Sequence, residues 1–159
     1  MDRLIQAILV LLKAQFTTTF KKYQYGDQKV YNRTLLPMLC VIPGSMSVSN
    51  SGTVRDEINH TVTIRVIVDM KKYLALGGTD IQSAEQALVK FMENTDANGE
   101  LLDASIVAVI RSNMDISGHT LYSDSLNVNY EDENIETENT ILKKADLEIS
   151  FSKRGIRNT

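Results

Sequence analysis

The chain has 159 residues, of which 43% are hydrophobic and 23% charged, with a formal net charge of -3. This length suits one domain, because two would each be small for a self-sufficient core, and the composition is that of a folded chain rather than a disordered one. The small net charge gives no general attraction to nucleic acid or to an anionic membrane. We therefore expect a single domain over residues 1–159 that binds no membrane.

An amphipathic helix is predicted at the N-terminus. Asp2 is a plausible N-cap, and an apolar stripe follows at helical spacing, made of Leu4, Ile5, Ile8, Leu11, Leu12 and Phe16. The stretch is too short to span a membrane and lacks the cleavage site of a signal peptide, so we expect synthesis in the cytoplasm. Residues 17–19 are threonines and end the helix. The polar residues 21–34 predict a connecting loop.

A strand and a candidate arm come next. Residues 35–42 form a continuous apolar run, typical of a strand buried on both faces, and Pro43 and Gly44 predict a turn after it. The following segment is small and polar, without fixed charge, which suits backbone pairing with a partner strand. We expect it to be an assembly arm that is mobile in the free subunit, or else a plain solvated turn. The arm consists of Ser45, Met46, Ser47, Val48, Ser49, Asn50, Ser51, Gly52 and Thr53.

The clearest strand of the sequence covers residues 57–70. Its apolar residues share one face at period 2, and they are Ile58, Val62, Ile64, Val66, Val68 and Met70. Polar residues alternate with them, except at Ile67. The run is longer than an ordinary strand, so we expect it to extend beyond its own sheet.

Two more helices are predicted in the middle of the chain. Gly77 and Gly78 break the chain, and Thr79 or Asp80 caps a helix with inward-facing Ile81, Ala84, Leu88, Phe91 and Met92. Residues 96–99 predict a loop. Residues 101–110 could form a helix or, at 106–110, a strand. The helix is favoured because positions 102, 106, 109 and 110 share one helical face.

Two alternating strands, at residues 121–131 and 142–152, complete the pattern. The acidic residues between them predict a flexible loop near 131–140, and the basic tail 153–159 is expected to fray. The order of elements predicts the α+β class: a mainly antiparallel sheet with an N-terminal helix and two further helices packed on one side.

No set of residues predicts catalysis, a metal or a cofactor. Cys40 is the single cysteine and lies in an apolar run, as a buried core residue does. His60 falls on the apolar face of the long strand and is expected to be a satisfied structural residue, whereas His119 in a turn is expected to be solvated. The acidic stretch has no apolar frame that would raise a carboxyl pKa. Phosphate-binding and serine-nucleophile motifs are missing.

The layout of the chain resembles the tail terminator and tail-completion proteins of long-tailed bacteriophages. The resemblance lies in the N-terminal helix, the strand at residues 36–44, the polar arm, the long strand at 61–68, and the final alternating strand at 145–151. It implies a hexameric ring that caps the tail tube and joins it to the head, located in the virion at the tail–head junction. The implied partners are the tail tube protein and connector or neck proteins, with DNA only passing through the lumen.

Other functions stay open. In the same setting, the chain could be another neck, head-completion or sheath-associated component. A different class would be an enzyme or small-ligand protein with a site between subunits, and Asp69, Arg65 and His60 would be its first candidate residues.

Overall fold

The computed structural model describes residues 1–28, 31–50, 52, 54–71, 81–121, 126–135 and 140–156. In chain order, its elements are α1 (Asp2–Gln15), β1 (Lys22–Tyr25), a 3-10 turn (Arg33–Leu35), β2 (Met38–Asn50), β3 (Arg55–Asp69), α2 (Ile81–Glu93), α3 (Ile106–Ser112), β4 (Asp115–Ile116), β5 (His119–Leu121), β6 (Asn127–Ile135) and β7 (Thr140–Ile156).

One seven-stranded sheet organises the described residues. Its strand order is β1-β2-β3-β7-β5-β4, and β6 also pairs with β7. Every pairing is antiparallel except that of β1 with β2. The predicted α+β class, with a mainly antiparallel sheet, is confirmed.

The main core lies between the three α-helices and one face of the sheet. The helices contribute apolar residues at the predicted spacing, and β3 contributes the even-numbered face that includes Val62, Ile64 and Val66. The side chains of Val62, Ile64 and Val66 are fully buried. We call this side of the sheet the core face.

The predicted stripe of α1 is confirmed, because Leu4, Ile5, Ile8 and Leu12 are fully buried. Asp2 is not the N-cap, however. Met1 occupies that position, and Asp2 lies in the first helical turn. Its carboxylate still lies at the positive end of the helix dipole, where a negative charge is favourable.

The polar segment after α1 is not entirely a loop. Residues Lys22–Tyr25 form β1, which pairs in parallel with residues 38–41 of β2. Only four residues long and half-exposed, this strand has no apolar period of its own. Its pairing with a buried strand therefore decides its conformation.

Residues 38–41 of β2 are buried as predicted, but the turn predicted at Pro43 and Gly44 is wrong. The strand continues to Asn50 with a register shift between Pro43 and Met46, which is a β-bulge. A bulge on an outer strand tolerates the missing N–H of proline. Gly44 is required by close approach, because a Cβ there would lie 2.4 Å from Thr61 Oγ1.

The long strands are longer than predicted at both ends of the sheet. Residues 131–135 of the acidic stretch, predicted as a loop, belong to β6 and pair with residues 140–144 of β7. Residues 153–156, predicted as a frayed tail, pair with residues 55–58 of β3. Backbone pairing with β7 and β3 overrides the polar composition in both places. Residues 136–139 and 157–159 lie outside the described residues.

The middle helices agree with the sequence. Ala84, Leu88 and Met92 of α2 are buried, and residues 106–110 form a helix rather than a strand. That helix, α3, starts later than predicted, because the Ser105 side chain caps it by accepting a hydrogen bond from the Ala108 N–H. The proposed break and cap at Gly77, Gly78, Thr79 and Asp80 lie outside the described residues.

The opposite face of the sheet carries a smaller apolar cluster. The segment before β2 contributes Tyr31 and Leu36 to it, and these side chains pack on Met38, Cys40, Ile67 and Leu142. Ile67, the exception to the alternation of β3, therefore has an apolar environment of its own. We call this side of the sheet the second face.

Candidate assembly interface

The arm is an antiparallel hairpin strand over most of its length. Met46–Asn50 pair with Asp56–His60 of β3, and every residue from Pro43 to Asn50 is exposed. Among the described strands, none pairs with the outer edge of these arm residues. Ser51 and Thr53 of the predicted arm lie outside the described residues.

The arm belongs to a three-stranded end of the sheet that we call the tip. The tip consists of residues 46–50 of β2, 55–60 of β3 and 151–156 of β7. Directly paired residues of antiparallel strands lie on the same face, so Met46 and Val48 continue the core face beyond His60. Yet Met46 is 60% exposed and Val48 is 55% exposed.

The base of the arm is held to β3 by side-chain contacts. The Ser45 N–H donates to Thr61 Oγ1 over 2.7 Å, and the Ser45 and Thr61 hydroxyl oxygens lie 2.9 Å apart. Together with the close approach of Gly44, these contacts fix the bulge. The direction of the arm is therefore set by the fold of the subunit.

A second uncovered part of the core face lies at the other end of β7. Here a groove of about 540 Å³ separates α2 from β6. Its apolar part includes Val89, which is 38% exposed, and Tyr130, which is 41% exposed. We call this feature the groove; its full lining is Glu85, Leu88, Val89, Tyr130, Glu131, Asp132 and Lys143.

Lys143 forms a buried cationic centre beneath the groove. Its Nζ donates to Glu85 Oε1 over 2.8 Å and to Asp132 Oδ1 over 2.7 Å, and its side chain is 4% exposed. Burial opposes the charged ammonium, but the hydrogen bonds that it donates to Asp132 and Glu85 outweigh this effect, so the Lys143 pKa is raised. The rim keeps a negative character because two carboxylates, those of Glu85 and Asp132, pair with this single ammonium, whereas Glu131 is paired with Lys144.

Sequence reasoning missed the groove, although one signal for it existed. Position 143 continues the period of Ala145, Leu147 and Ile149, the apolar face of β7. A lysine on an apolar face predicts a buried, paired cation. Its partners come from α2 and β6, which are distant in sequence, so the pairing itself could not be predicted.

The three residues proposed for an intersubunit enzyme site are not brought together. Arg65 forms a two-pronged ion pair with Asp146, with 2.7 Å from Nε to Oδ1 and 2.8 Å from Nη2 to Oδ2. Asp69 accepts a hydrogen bond from Arg33 Nε over 2.7 Å. Both residues lie on the second face, whereas His60 lies on the core face. Their contacts are those of structural ion pairs.

The expectation of a solvated His119 is wrong. His119 is 5% exposed and His60 is 4% exposed, and their ring centroids lie 5.4 Å apart. Burial lowers the pKa of both imidazoles. His60 lies on the core face as predicted, but the prediction of a satisfied ring is wrong, because within the described residues no hydrogen-bond partner lies at its buried Nδ1. The turn predicted from the sequence at His119 is present, but His119 itself belongs to β5, which places its ring against the sheet.

Cys40 is buried as predicted, and burial raises the pKa of its thiol to about 12. At neutral pH the thiol is therefore protonated and a poor nucleophile. Within the described residues, no group of three or more metal-binding side chains occurs. No helix formed by those residues is both long and apolar enough to span a membrane.

No family model matches the chain. No curated protein matches it either. Among solved structures, a chain of "Virion of native gene transfer agent (GTA) particle" is similar with a TM-score of 0.43 and 16% sequence identity. The alignment covers 97% of this chain and 96% of that chain. A likeness this distant carries no argument about function.

Proposed function

We propose that the chain is a phage structural protein that caps the tail tube as a homohexameric ring and joins the tail to the head or neck. The structural feature that supports the proposal is the exposed surface of the tip. It exposes apolar side chains and an outer strand edge at the end of the sheet, and native monomers normally protect such edges. Neighbouring subunits of a ring would cover both.

The fold supports a binding role for the arm. Its backbone is paired with β3 on one side and its base is held by Thr61, so the outer edge is presented in a defined direction. An extended segment can pair with such an edge through main-chain hydrogen bonds. In the proposed ring, the tail tube protein and the connector or neck proteins are the partners of the two ends, and DNA passes only through the lumen.

Two of the residues considered for an intersubunit enzyme site also support a structural role. Arg65 and Asp69 are each engaged by an oppositely charged partner on the second face. These ion pairs direct both groups at partners within the subunit. We therefore propose a protein without enzymatic activity, found in the virion at the tail–head junction after assembly in the host cytoplasm.

The native mass of the full chain tests the ring. A species of six copies is expected, and a chain that stays monomeric at every concentration would contradict the ring. Particles assembled without the protein test its position, because heads and tails should then remain separate. Normally joined particles would exclude the joining role.

Replacing residues 47–59 by a tight turn between Met46 and His60, which pair directly, tests the arm. We expect the shortened chain to fold but to lose ring formation and tail completion, because the exposed edge is gone. The double variant Ser47→Ala and Ser49→Ala is the control, since it keeps the arm backbone and its apolar side. If the shortened chain completes tails at the normal rate, the arm is not an assembly element.

A further inference from the structure

Two separate parts of the core face remain uncovered in the subunit. The first is the tip patch, made of Met46, Val48 and Ile58, where Val48 pairs directly with Ile58. The second is the groove, with Val89 and Tyr130 as its exposed apolar residues. Burying such surface is favourable by roughly 25 cal/mol per Å².

The tip patch and the groove of one subunit are too far apart to contact each other. The groove lies beside Lys143 and the tip patch beside Lys153, and both lysines belong to the same strand, β7. At roughly 3.3 Å per residue, the two sites are about 33 Å apart. Two different surfaces at opposite ends of one subunit are the requirement for a head-to-tail contact, which can close into a ring.

The charges of the two surfaces are complementary. Lys153 is exposed beside Ile58 on the core face of the tip. The groove presents the carboxylates of Glu85 and Asp132 beside its apolar part, and these side chains are 56% and 61% exposed, whereas Glu131 is paired with Lys144 on the second face. Asp56 lies on the same side of the tip, two residue pairs farther out than Ile58.

We propose that the tip patch of one subunit docks in the groove between α2 and β6 of a second copy of this chain. Met46, Val48 and Ile58 cover Val89 and Tyr130, and Lys153 meets the carboxylates at the groove rim. This inference rests on the proposed ring, and it names the two surfaces that build it. An apolar centre with a charged rim is the usual arrangement of a specific interface.

Three exposed valines allow a matched test. Val48→Glu places a carboxylate in the tip patch, Val89→Glu places one in the groove, and Val10→Glu places one on α1, away from both surfaces. The side chains are 55%, 38% and 69% exposed, so each variant should fold, which cooperative thermal unfolding checks. We expect Val48→Glu and Val89→Glu to weaken self-association by about tenfold or more, and Val10→Glu to leave it unchanged.

Mixing the two defective variants decides whether the contact is head-to-tail. The Val48→Glu chain keeps an intact groove and the Val89→Glu chain keeps an intact tip, so an equal mixture should form 1:1 dimers that neither variant forms alone. These dimers should not grow into rings, because their remaining contact would place the two introduced carboxylates against each other. Analytical ultracentrifugation measures both results.

The outcomes separate this inference from the proposed ring. If the unmodified chain forms rings and both variants form them equally well, the named surfaces are wrong and the ring stands. If the mixture stays monomeric while each variant alone is defective, the head-to-tail contact is overturned. If the unmodified chain is monomeric at all concentrations, both the ring and this contact are contradicted. A role in joining heads to tails would still be tested separately on particles.

Discussion

Gly44 shows how one residue can direct the arm of the proposed interface. A Cβ at this position would lie 2.4 Å from Thr61 Oγ1 and 2.8 Å from the Thr61 carbonyl oxygen. Because the second of these atoms is backbone, a side-chain rotation cannot relieve the contact. The missing side chain therefore lets β2 approach β3 closely at the bulge from which the arm begins.

Gly44→Ala is expected to lower the free energy of unfolding by about 1–3 kcal/mol, the usual cost of overpacking. Urea unfolding measures this change. Gly155→Ala is the matched control, because it lies in β7 with nothing within 4 Å of the added Cβ. Equal effects of the two substitutions would mean that β2 and β3 separate easily at the bulge.

The buried histidine pair makes the stability of the tip sensitive to pH. Burial lowers the pKa of His60 and of His119, and the N-terminal ammonium and Lys153 act on both in the same direction. The unfolded chain, with histidine pKa values near about 6.5, therefore takes up protons before the folded chain does as the pH falls. The stabilisation is complete above that pH and is lost below it.

We expect the free energy of unfolding to decrease as the pH is lowered from about 7.5 to about 5.5, the range in which histidine titrates. Chemical unfolding at several pH values measures this dependence. His119→Gln, whose amide does not titrate, should show a smaller decrease. A stability that is constant over this range would contradict the burial of the pair.

At the scale of elements, β3 is the centre of the fold. It pairs with β2 along one edge and with β7 along the other, and its core face packs against the helices. Ile64 and Val66 lie in the middle of this strand with no exposed area. A charge placed there cannot reach water unless the helices separate from the sheet.

Ile64→Asp and Val66→Asp should each abolish folding. An unpaired buried carboxylate costs several kcal/mol, a large part of the roughly 5–15 kcal/mol that stabilises a domain. Circular dichroism and solubility measure the outcome. Ser47→Asp, on the exposed arm, should fold normally. Cooperative unfolding of both core variants would contradict the core-face assignment of β3.

For the whole molecule, the sheet is larger than the helix layer that covers it. The helices bury the middle of the core face, and the tip and the groove remain exposed at opposite ends of β7. Both uncovered regions are formed by elements that are paired within the subunit. In the proposed ring, the subunit would therefore fold first and assemble afterwards without refolding.

Hydrogen exchange should distinguish the free subunit from the assembly. In the free chain, the amides of residues 46–50 should exchange faster than those of residues 38–41, which are buried and paired with both β1 and β3. After assembly, the arm should become protected because a neighbour covers its apolar side. Arm exchange that is the same in both states would show that the arm makes no contact.

Local periodicity in the sequence determined the elements with a buried face. The helical stripe of α1, the alternation of β3 and the helix at residues 106–110 were all predictable, because burial of one face imposes a period of 3.6 or 2 on the residues themselves. The α+β class and the buried Cys40 were predictable for the same reason. None of these predictions required knowledge of a partner element.

Tertiary pairing alone decided the rest. Lys22–Tyr25 and residues 131–135 and 153–156 are polar, and they are strands only because β2, β7 and β3 offer them backbone partners. Pro43 and Gly44 signal a turn locally, yet contact with Thr61 makes them a bulge in a continuous strand. The groove, likewise, exists only because α2 and β6, distant in sequence, stand on either side of Lys143. Backbone hydrogen bonds carry little side-chain signature, so these features become visible only when the partner strand or helix is in place.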